Sequence, residues 1–198
     1  LEPMPFGARK VIARRAAMEL RPGAICNLGV GISTGIAQVA AEEGVADGIV
    51  LTNEQGLIGG LPAGGVDAGA SVNFEAMIDQ PSQFDFYDGG GLDQAFLSFG
   101  EVGRDGSVNI SRLGGRILGF GGFSNISQNA RSIVFSGTLT SGGLEIDWPD
   151  GRTRVVAEGR HRRFVDVVEQ VAYSGPRGRR MRQDVLYVTE RAVFRGGD

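Results

Sequence analysis

The sequence predicts an α/β fold, a mostly parallel sheet with crossover helices. Helical and extended patterns alternate in short succession as far as Thr52, which is how such units read. A continuous apolar run within Ser132 to Ser136 reads as a central strand buried on both faces. Extended segments at Ala24–Val30, Gly48–Thr52 and Ser132–Ser136 each run into a polar or glycine-rich loop. In open α/β sheets, ligands bind at those strand ends.

From Ala8 to Leu20, helical spacing puts Val11, Ile12, Ala16 and Leu20 on one face, with Arg9, Arg14 and Arg15 opposite. Pro22-Gly23 ends that helix. Ala24 to Val30 reads as a short buried strand, and Gly29 to Ser33 turns into a second helix, Thr34 to Glu43. A strand, a glycine loop and a helix in that order can offer backbone N–H groups to an anion. Gly29, Gly31 and Gly35 nevertheless miss the dinucleotide fingerprint, whose third glycine comes one residue earlier. Ile49 to Thr52 reads as a second buried strand.

Asn73 to Ile78 fits no single pattern, and Pro81 to Tyr87 carries aromatics at alternate positions, Phe84 and Phe86. Leu92 to Leu97 reads as a short helix or strand. Arg104-Asp105-Gly106 predicts a hairpin turn, because Asp-Gly supplies the positive φ that a tight turn needs. A second hairpin is expected around Pro149-Asp150-Gly151, between Leu144–Asp147 and Thr153–Val156. Phe164 to Val168 is expected as a short helix, Val185–Val188 and Ala192–Phe194 as late strands. Neither a repeat nor a low-complexity linker interrupts the chain, so one domain over residues 1–198 is expected.

At 198 residues and 41% hydrophobic content, the chain can bury a sizeable core. Its apolar runs fall short of the roughly 20 residues of a transmembrane helix, so no membrane is expected. Leu1 to Pro5 lacks the basic start and apolar core of a signal peptide, and the missing initiator Met suggests a fragment or processed piece. Cys26 is the only cysteine, which excludes an internal disulfide and a Cys-rich metal site and points to the cytoplasm. His161 is the only histidine and sits among Arg160, Arg162 and Arg163, as a solvated residue would. Metal sites usually need several His or Cys ligands, so no metal is expected.

Charge is uneven: residues 1–150 hold 9 basic and 17 acidic residues, whereas 151–198 hold 11 Arg and 6 acids. The basic end could meet a polyanion, an anionic cofactor or an acidic partner surface. Without aromatics between Arg179, Arg180 and Arg182, nucleic acid is not the expected partner.

Glu54 is the candidate reactive group. The strand before it delivers one carboxylate into a loop holding Gly56, Gly59, Gly60, Gly64 and Gly65. Of the 33 glycines, 17 lie between Gly56 and Gly122, a density that fits either close approach of main chain to a ligand or tight corners. Lacking a plausible histidine base or metal cluster, Glu54 has three possible roles: general base, electrostatic anchor or nucleophile. A carboxylate needs no activating base to attack an activated acyl group. Main-chain N–H groups of a glycine loop, as at Gly59 and Gly60, could hold the oxyanion that develops.

The segment Glu54-Gln-Gly-Leu-Ile-Gly-Gly-Leu-Pro-Ala-Gly-Gly65 resembles the active-site segment of family I coenzyme A transferases. The likeness is greatest to the propionate/acetate group, which acts on short-chain acyl-CoA and free carboxylate. Four further stretches agree in order: Ala8–Leu20 with Asn27–Ile32, Gln83–Asp93, Gly119–Ala130, and Val185–Phe194.

That resemblance covers almost the whole chain and implies a three-layer α/β/α open sheet with added β-hairpins. It also implies transfer of CoA by a ping-pong mechanism through a glutamyl-CoA thioester on Glu54, with no metal or separate cofactor. Gly121 and Gly122 match the glycine pair that approaches the thioester, and Gly29 and Gly31 the loop near the CoA chain. Gln80 lies near the family's substrate-positioning polar residue. Asn53 and Gln55 depart from the residues that often flank the glutamate. Only the C-terminal, glutamate-bearing half is matched, so an N-terminal, α-subunit-like half is the implied partner, within a homo-oligomer. Two other readings are a sugar-phosphate isomerase or deaminase, with Glu54 as base, and a non-catalytic acyl-CoA-binding module.

Overall fold

The computed structural model describes residues 3–63 and 67–196. Eight strands form the central sheet, in the order Val193–Gly196, Asp184–Val188, Ser132–Ser136, Gln94–Ser98, Ile25–Leu28, Val50–Thr52, Leu57–Ile58 and Ala76–Met77. Strands from Asp184–Val188 through Val50–Thr52 run parallel, and the outer ones add antiparallel edges. The parallel α/β architecture read from the sequence is therefore the observed one.

Successive strand residues point to opposite faces, and here the two faces feed two separate cores. Phe96, Val134, Leu186 and Val188 pack with Ile12, Ala16, Ile36 and Val39. These last four come from helices α1 (Ala8–Ala17) and α2 (Thr34–Glu42). Their strand neighbours Ala95, Leu97, Ile133, Phe135, Val185 and Tyr187 pack with Tyr87, Phe123 and Ile126, from helices α3 (Gln80–Asp88) and α4 (Phe123–Asn129). Helices thus cover both faces, giving three layers. Burying each Phe, Ile, Leu or Val side chain contributes about 1.5–3 kcal/mol.

The buried face of α1 is Ile12, Ala13, Ala16 and Ala17, turned slightly from the expected Val11–Leu20 stripe. The turn follows from close packing of α1 on α2, where a Cβ at Gly35 would lie 3.4 Å from that of Ala13. Both expected hairpins form, Glu101–Gly103 with Val108–Asn109 and Glu145–Asp147 with Arg154–Ala157. At the first turn, Asp105 accepts hydrogen bonds from the Ser107 backbone N–H and hydroxyl, both 2.9 Å, while Gly106 takes φ +78°.

One expected element is corrected. Phe164–Val165 is a strand paired in parallel with Glu101–Gly103, not the start of a helix. Phe164 stacks edge-on to Phe99 at 5.6 Å and also meets Phe194 at 4.9 Å, so aromatic packing decides its conformation. A short helix, α5 (Gly175–Arg180), is absent from the sequence reading because two glycines and a proline disguise it. Pro176 sits in its first turn, and the Ser174 side chain caps it by accepting from the Arg177 N–H at 3.3 Å. Gly178 is required there, since a Cβ would fall 1.8 Å from the Tyr173 hydroxyl. Among the described residues, no helix is long and apolar enough to cross a membrane.

Candidate active site

The strand Val50–Thr52 ends in a turn that Asn53 ties down. Its Oδ1 accepts from the Leu57 N–H at 3.0 Å, its N–H donates to Leu57 O at 3.1 Å, and its Nδ2 donates to Gly69 O at 2.9 Å. Gly56 closes the turn at φ +95°, where a Cβ would stand 2.1 Å from the Ile78 carbonyl oxygen. Asn53, noticed in the sequence only as a departure from the usual pattern, therefore fixes the backbone that carries Glu54.

Glu54 lines a cavity of about 460 Å³ at the C-terminal ends of the parallel strands. Gly29, Gln80, Gly121 and Gly122 line the same cavity, as do Phe84 and Ser98. Among the described lining residues, Glu54 is the only ionisable one. Burial pushes its pKa above the ordinary glutamate value of 4.5. Hydrogen bonds from its own backbone and from the Asn27 side chain oppose that shift without cancelling it.

Gly122 stands directly beside this carboxylate. A Cβ on it would lie 3.2 Å from Glu54 Cγ and 3.0 Å from the Phe84 ring. Gly121 has open space around it but takes φ +52°, a conformation glycine adopts readily. Together the pair brings bare backbone to the acid.

Gly31 does not line this cavity; it closes the adjoining loop at φ +95°, and its carbonyl accepts from Thr34 Oγ1 at 2.8 Å and Arg9 Nη2 at 3.1 Å. Ser98, which the sequence reading missed, organises that loop. Its hydroxyl donates to Val30 O at 3.0 Å and accepts from the Ile32 N–H at 3.1 Å and the Ser33 N–H at 3.4 Å. No motif marks Ser98; its position at the end of the neighbouring parallel strand was the available signal.

Gly59 and Gly60 also lie outside the cavity wall. Gly59 donates to Leu51 O at 2.7 Å, and a Cβ on Gly60 would fall 2.3 Å from Val72 O. Their positive φ values, +77° and +71°, let the loop cross tightly over the strand Ser71–Val72. Gly64 and Gly65 fall outside the described residues. His161 is exposed, on a two-residue strand paired with Thr140–Ser141.

Beneath the cavity floor, the Asn27, Thr52 and Tyr87 side chains are buried and hydrogen-bonded to one another or to neighbouring backbone. Such a site offers one desolvated carboxylate with glycine backbone alongside and a buried Asn27–Tyr87–Thr52 side-chain cluster nearby. It can perform nucleophilic attack or proton abstraction, with no second ionisable group on the described wall to share the work.

No protein-family model matches the chain. The acetate CoA-transferase YdiF of Escherichia coli K12 is 48% identical over 191 residues, spanning 96% of this chain and 36% of the relative. Caffeate CoA-transferase of Acetobacterium woodii is 43% identical over 197 residues, 97% of this chain and 37% of the relative. A shorter relative, acetate CoA-transferase subunit beta of E. coli K12, is 31% identical over 65% of this chain and 63% of its own length. Crystal structures of YdiF from E. coli O157:H7 superpose with TM-scores of 0.91 for the apoenzyme and 0.89 for a thioester complex with CoA. Those structures are 47% and 46% identical to this chain and cover 97% and 98% of it. The chain spans little more than a third of the length of the longer relatives.

Proposed function

We propose that this chain, a homologue of the CoA-transferases in both sequence and fold, moves CoA between an acyl-CoA and a free carboxylate, with Glu54 as nucleophile. The observation that supports this most is that Glu54 is the one ionisable side chain on the described cavity wall. Burial raises its pKa, so its ionised form is a stronger nucleophile than a solvated carboxylate.

In the first step a Glu54 carboxylate oxygen attacks the acyl-CoA carbonyl. The tetrahedral oxyanion collapses, the C–S bond breaks, and an acyl-glutamyl anhydride and CoA thiolate result. The thiolate then attacks the glutamyl carbonyl, expelling the acyl group as a free carboxylate and leaving a glutamyl-CoA thioester. An acceptor carboxylate attacks that thioester to give a new anhydride, and the returning thiolate takes the acyl group and frees Glu54. Backbone N–H groups at Gly121 and Gly122 are suited to the oxyanions, and Gly29, Gly31 and Gln80 to the CoA and substrate. Donors aimed at such charge are worth about 2.7–4 kcal/mol each in comparable sites. Gly59 and Gly60 would act indirectly, by shaping the turn.

The remainder of the active site would come from a partner half. Likeness to a subunit named beta and the 36% span of YdiF both support that reading. Incubation of the complete protein with acetyl-CoA, then proteolysis and peptide mass analysis, tests the mechanism. A CoA adduct on the Glu54 peptide, lost in Glu54→Gln, is expected; exchange of label between acyl-CoA and carboxylate without any Glu54 adduct would overturn it.

A further inference from the structure

Side-chain packing does not hold the apex of the loop that joins the strand Ile25–Leu28 to α2. Val30 is 69% exposed, and Gly31 has no side chain. One hydroxyl at the end of the neighbouring strand Gln94–Ser98 fixes the loop instead. Ser98 Oγ lies 3.0 Å from the Val30 carbonyl oxygen, an atom that only accepts, so the Ser98 proton goes there. Its lone pairs then receive the Ile32 N–H at 3.1 Å and the Ser33 N–H at 3.4 Å. The Ser33 hydroxyl, 3.1 Å away, is a further donor, because the Ser98 proton is already committed. These contacts bracket Gly31 on both sides. They also take two N–H groups ahead of α2 that a bare helix start would offer to an anion.

Gly31 carries the second observation. A Cβ there would lie 2.9 Å from Ser98 Oγ and 3.4 Å from Ser98 Cβ. Gly31 is off the cavity wall, so its bareness makes room for the hydroxyl inside the loop. Gly29 fits against the same strand: its N–H donates to Phe96 O at 2.8 Å, and a Cβ on it would lie 2.7 Å from Leu97 Cδ2. The loop is thus moulded to Gln94–Ser98 along its length. Gly29, Val30, Thr34 and Ser98 itself line the cavity that holds Glu54.

We propose that Ser98 is a positioning residue for the incoming acyl-CoA. Acting through Val30, Ile32 and Ser33, it holds the loop in the shape that admits this substrate, and Gly31 is glycine for the sake of that hydroxyl. The inference rests on the CoA transfer of the Proposed function. Without the hydroxyl the loop samples other shapes, and apparent affinity falls in proportion to the molecules that keep the binding shape. Free acyl-CoA meets that penalty. In the glutamyl-CoA thioester a covalent bond already holds the CoA in the cavity, so the acceptor carboxylate does not.

Ping-pong kinetics of the complete protein separate the two encounters. There kcat/KM for acyl-CoA reports the first half-reaction, and kcat/KM for the carboxylate reports the second. Ser98→Ala should lower kcat/KM for acetyl-CoA roughly 3- to 10-fold, the effect of losing an ordinary hydrogen bond, and hold that for acetate within about 2-fold. Isothermal titration with CoA should show the same loss of affinity without turnover. Gly31→Ala, which drives a methyl against the hydroxyl, is a second route to the same split. In the double variant the combined loss should fall short of the product of the single losses, because the methyl then meets no hydroxyl. Equal drops in both kcat/KM values in folded Ser98→Ala, or no drop in either, would overturn the proposal. So would losses that multiply in the double variant. Absence of a CoA adduct on wild-type Glu54, with CoA affinity still weakened in Ser98→Ala, would instead defeat the functional reading and leave the role of Ser98 in the loop standing.

Discussion

Gly122→Ala measures how tightly Glu54, the proposed nucleophile, is aimed. The new methyl would approach the Phe84 ring to 3.0 Å and Glu54 Cγ to 3.2 Å, whereas ordinary contact begins at 3.4 Å. Ring and carboxylate stem must therefore give way by about 0.4 and 0.2 Å. If a misplacement of about 1 Å costs ~100-fold in rate, proportional scaling of the barrier gives a loss of about 2.5- to 6-fold. Gly122 has φ −82° and ψ 1°, which alanine adopts without strain, so stability should suffer little beyond the weaker cap on α4. That effect is at most ~1 kcal/mol, about 2–4 °C in Tm for a chain of this size. Steady-state exchange of labelled acetate into acetyl-CoA gives kcat and KM. Phe84→Leu in the Gly122→Ala background should restore part of the lost rate, because it removes ring atoms from the methyl's path. Gly151→Ala serves as a strain control, at φ +75° with open space around it, and should lower Tm while sparing kcat. Unaltered kcat in Gly122→Ala, or no rescue by Phe84→Leu, would refute the claim that Gly122 is held bare for the sake of Glu54.

Other outcomes follow from the same geometry. Burial raises the folded-state pKa of Glu54, so the ionised acid destabilises the fold. That penalty is absent below the unfolded value of 4.5 and complete above the folded one, so Glu54→Gln should raise Tm near neutral pH and lose this advantage in acid. A less stable variant at neutral pH would contradict it. Glu158 behaves oppositely: hydrogen bonds from Arg191 and then Thr140 lower its pKa to about 2. Its contribution is present above 4.5 and lost as pH falls through about 2, so the Tm gap between wild type and Glu158→Gln should close over that window; a gap independent of pH would speak against the pairing. Arg179 and Arg180 are exposed on α5, and their joint reversal to Glu should weaken assembly of the complete protein on size-exclusion chromatography. Intact assembly would remove the partner-surface reading of this basic segment.

The sequence made the central sheet legible because its strands are continuous apolar runs, and Ser132–Ser136 does sit among the parallel ones. Turns were legible where backbone sign dictates residue type, as at Asp105-Gly106. Phe164 misled because five residues, Phe-Val-Asp-Val-Val, are too few to show a usable period, and its partners Phe99 and Phe194 lie far along the chain. The same limit applies to the cavity. Glu54, Gly29, Gln80, Gly121 and Gly122 were all singled out and meet on one wall. Gly59 and Gly60, close to Glu54 in sequence, serve the fold of the turn instead. Ser98 and the Tyr87–Thr52–Asn27 chain escaped notice because they are ordinary residues whose meaning comes from neighbours on other strands and on α3.

The only thiol of the chain belongs to Cys26, fully buried beside Asn27, its pKa pushed up to about 12 by burial first and by Asp93 next. So little thiolate exists near neutral pH that this sulfur is inert toward disulfide reagents. In a colorimetric assay the chain is therefore spectroscopically silent, and in a test of the proposed CoA transfer, signal from a thiol-reactive dye would report free CoA rather than labelled protein from this part of the molecule.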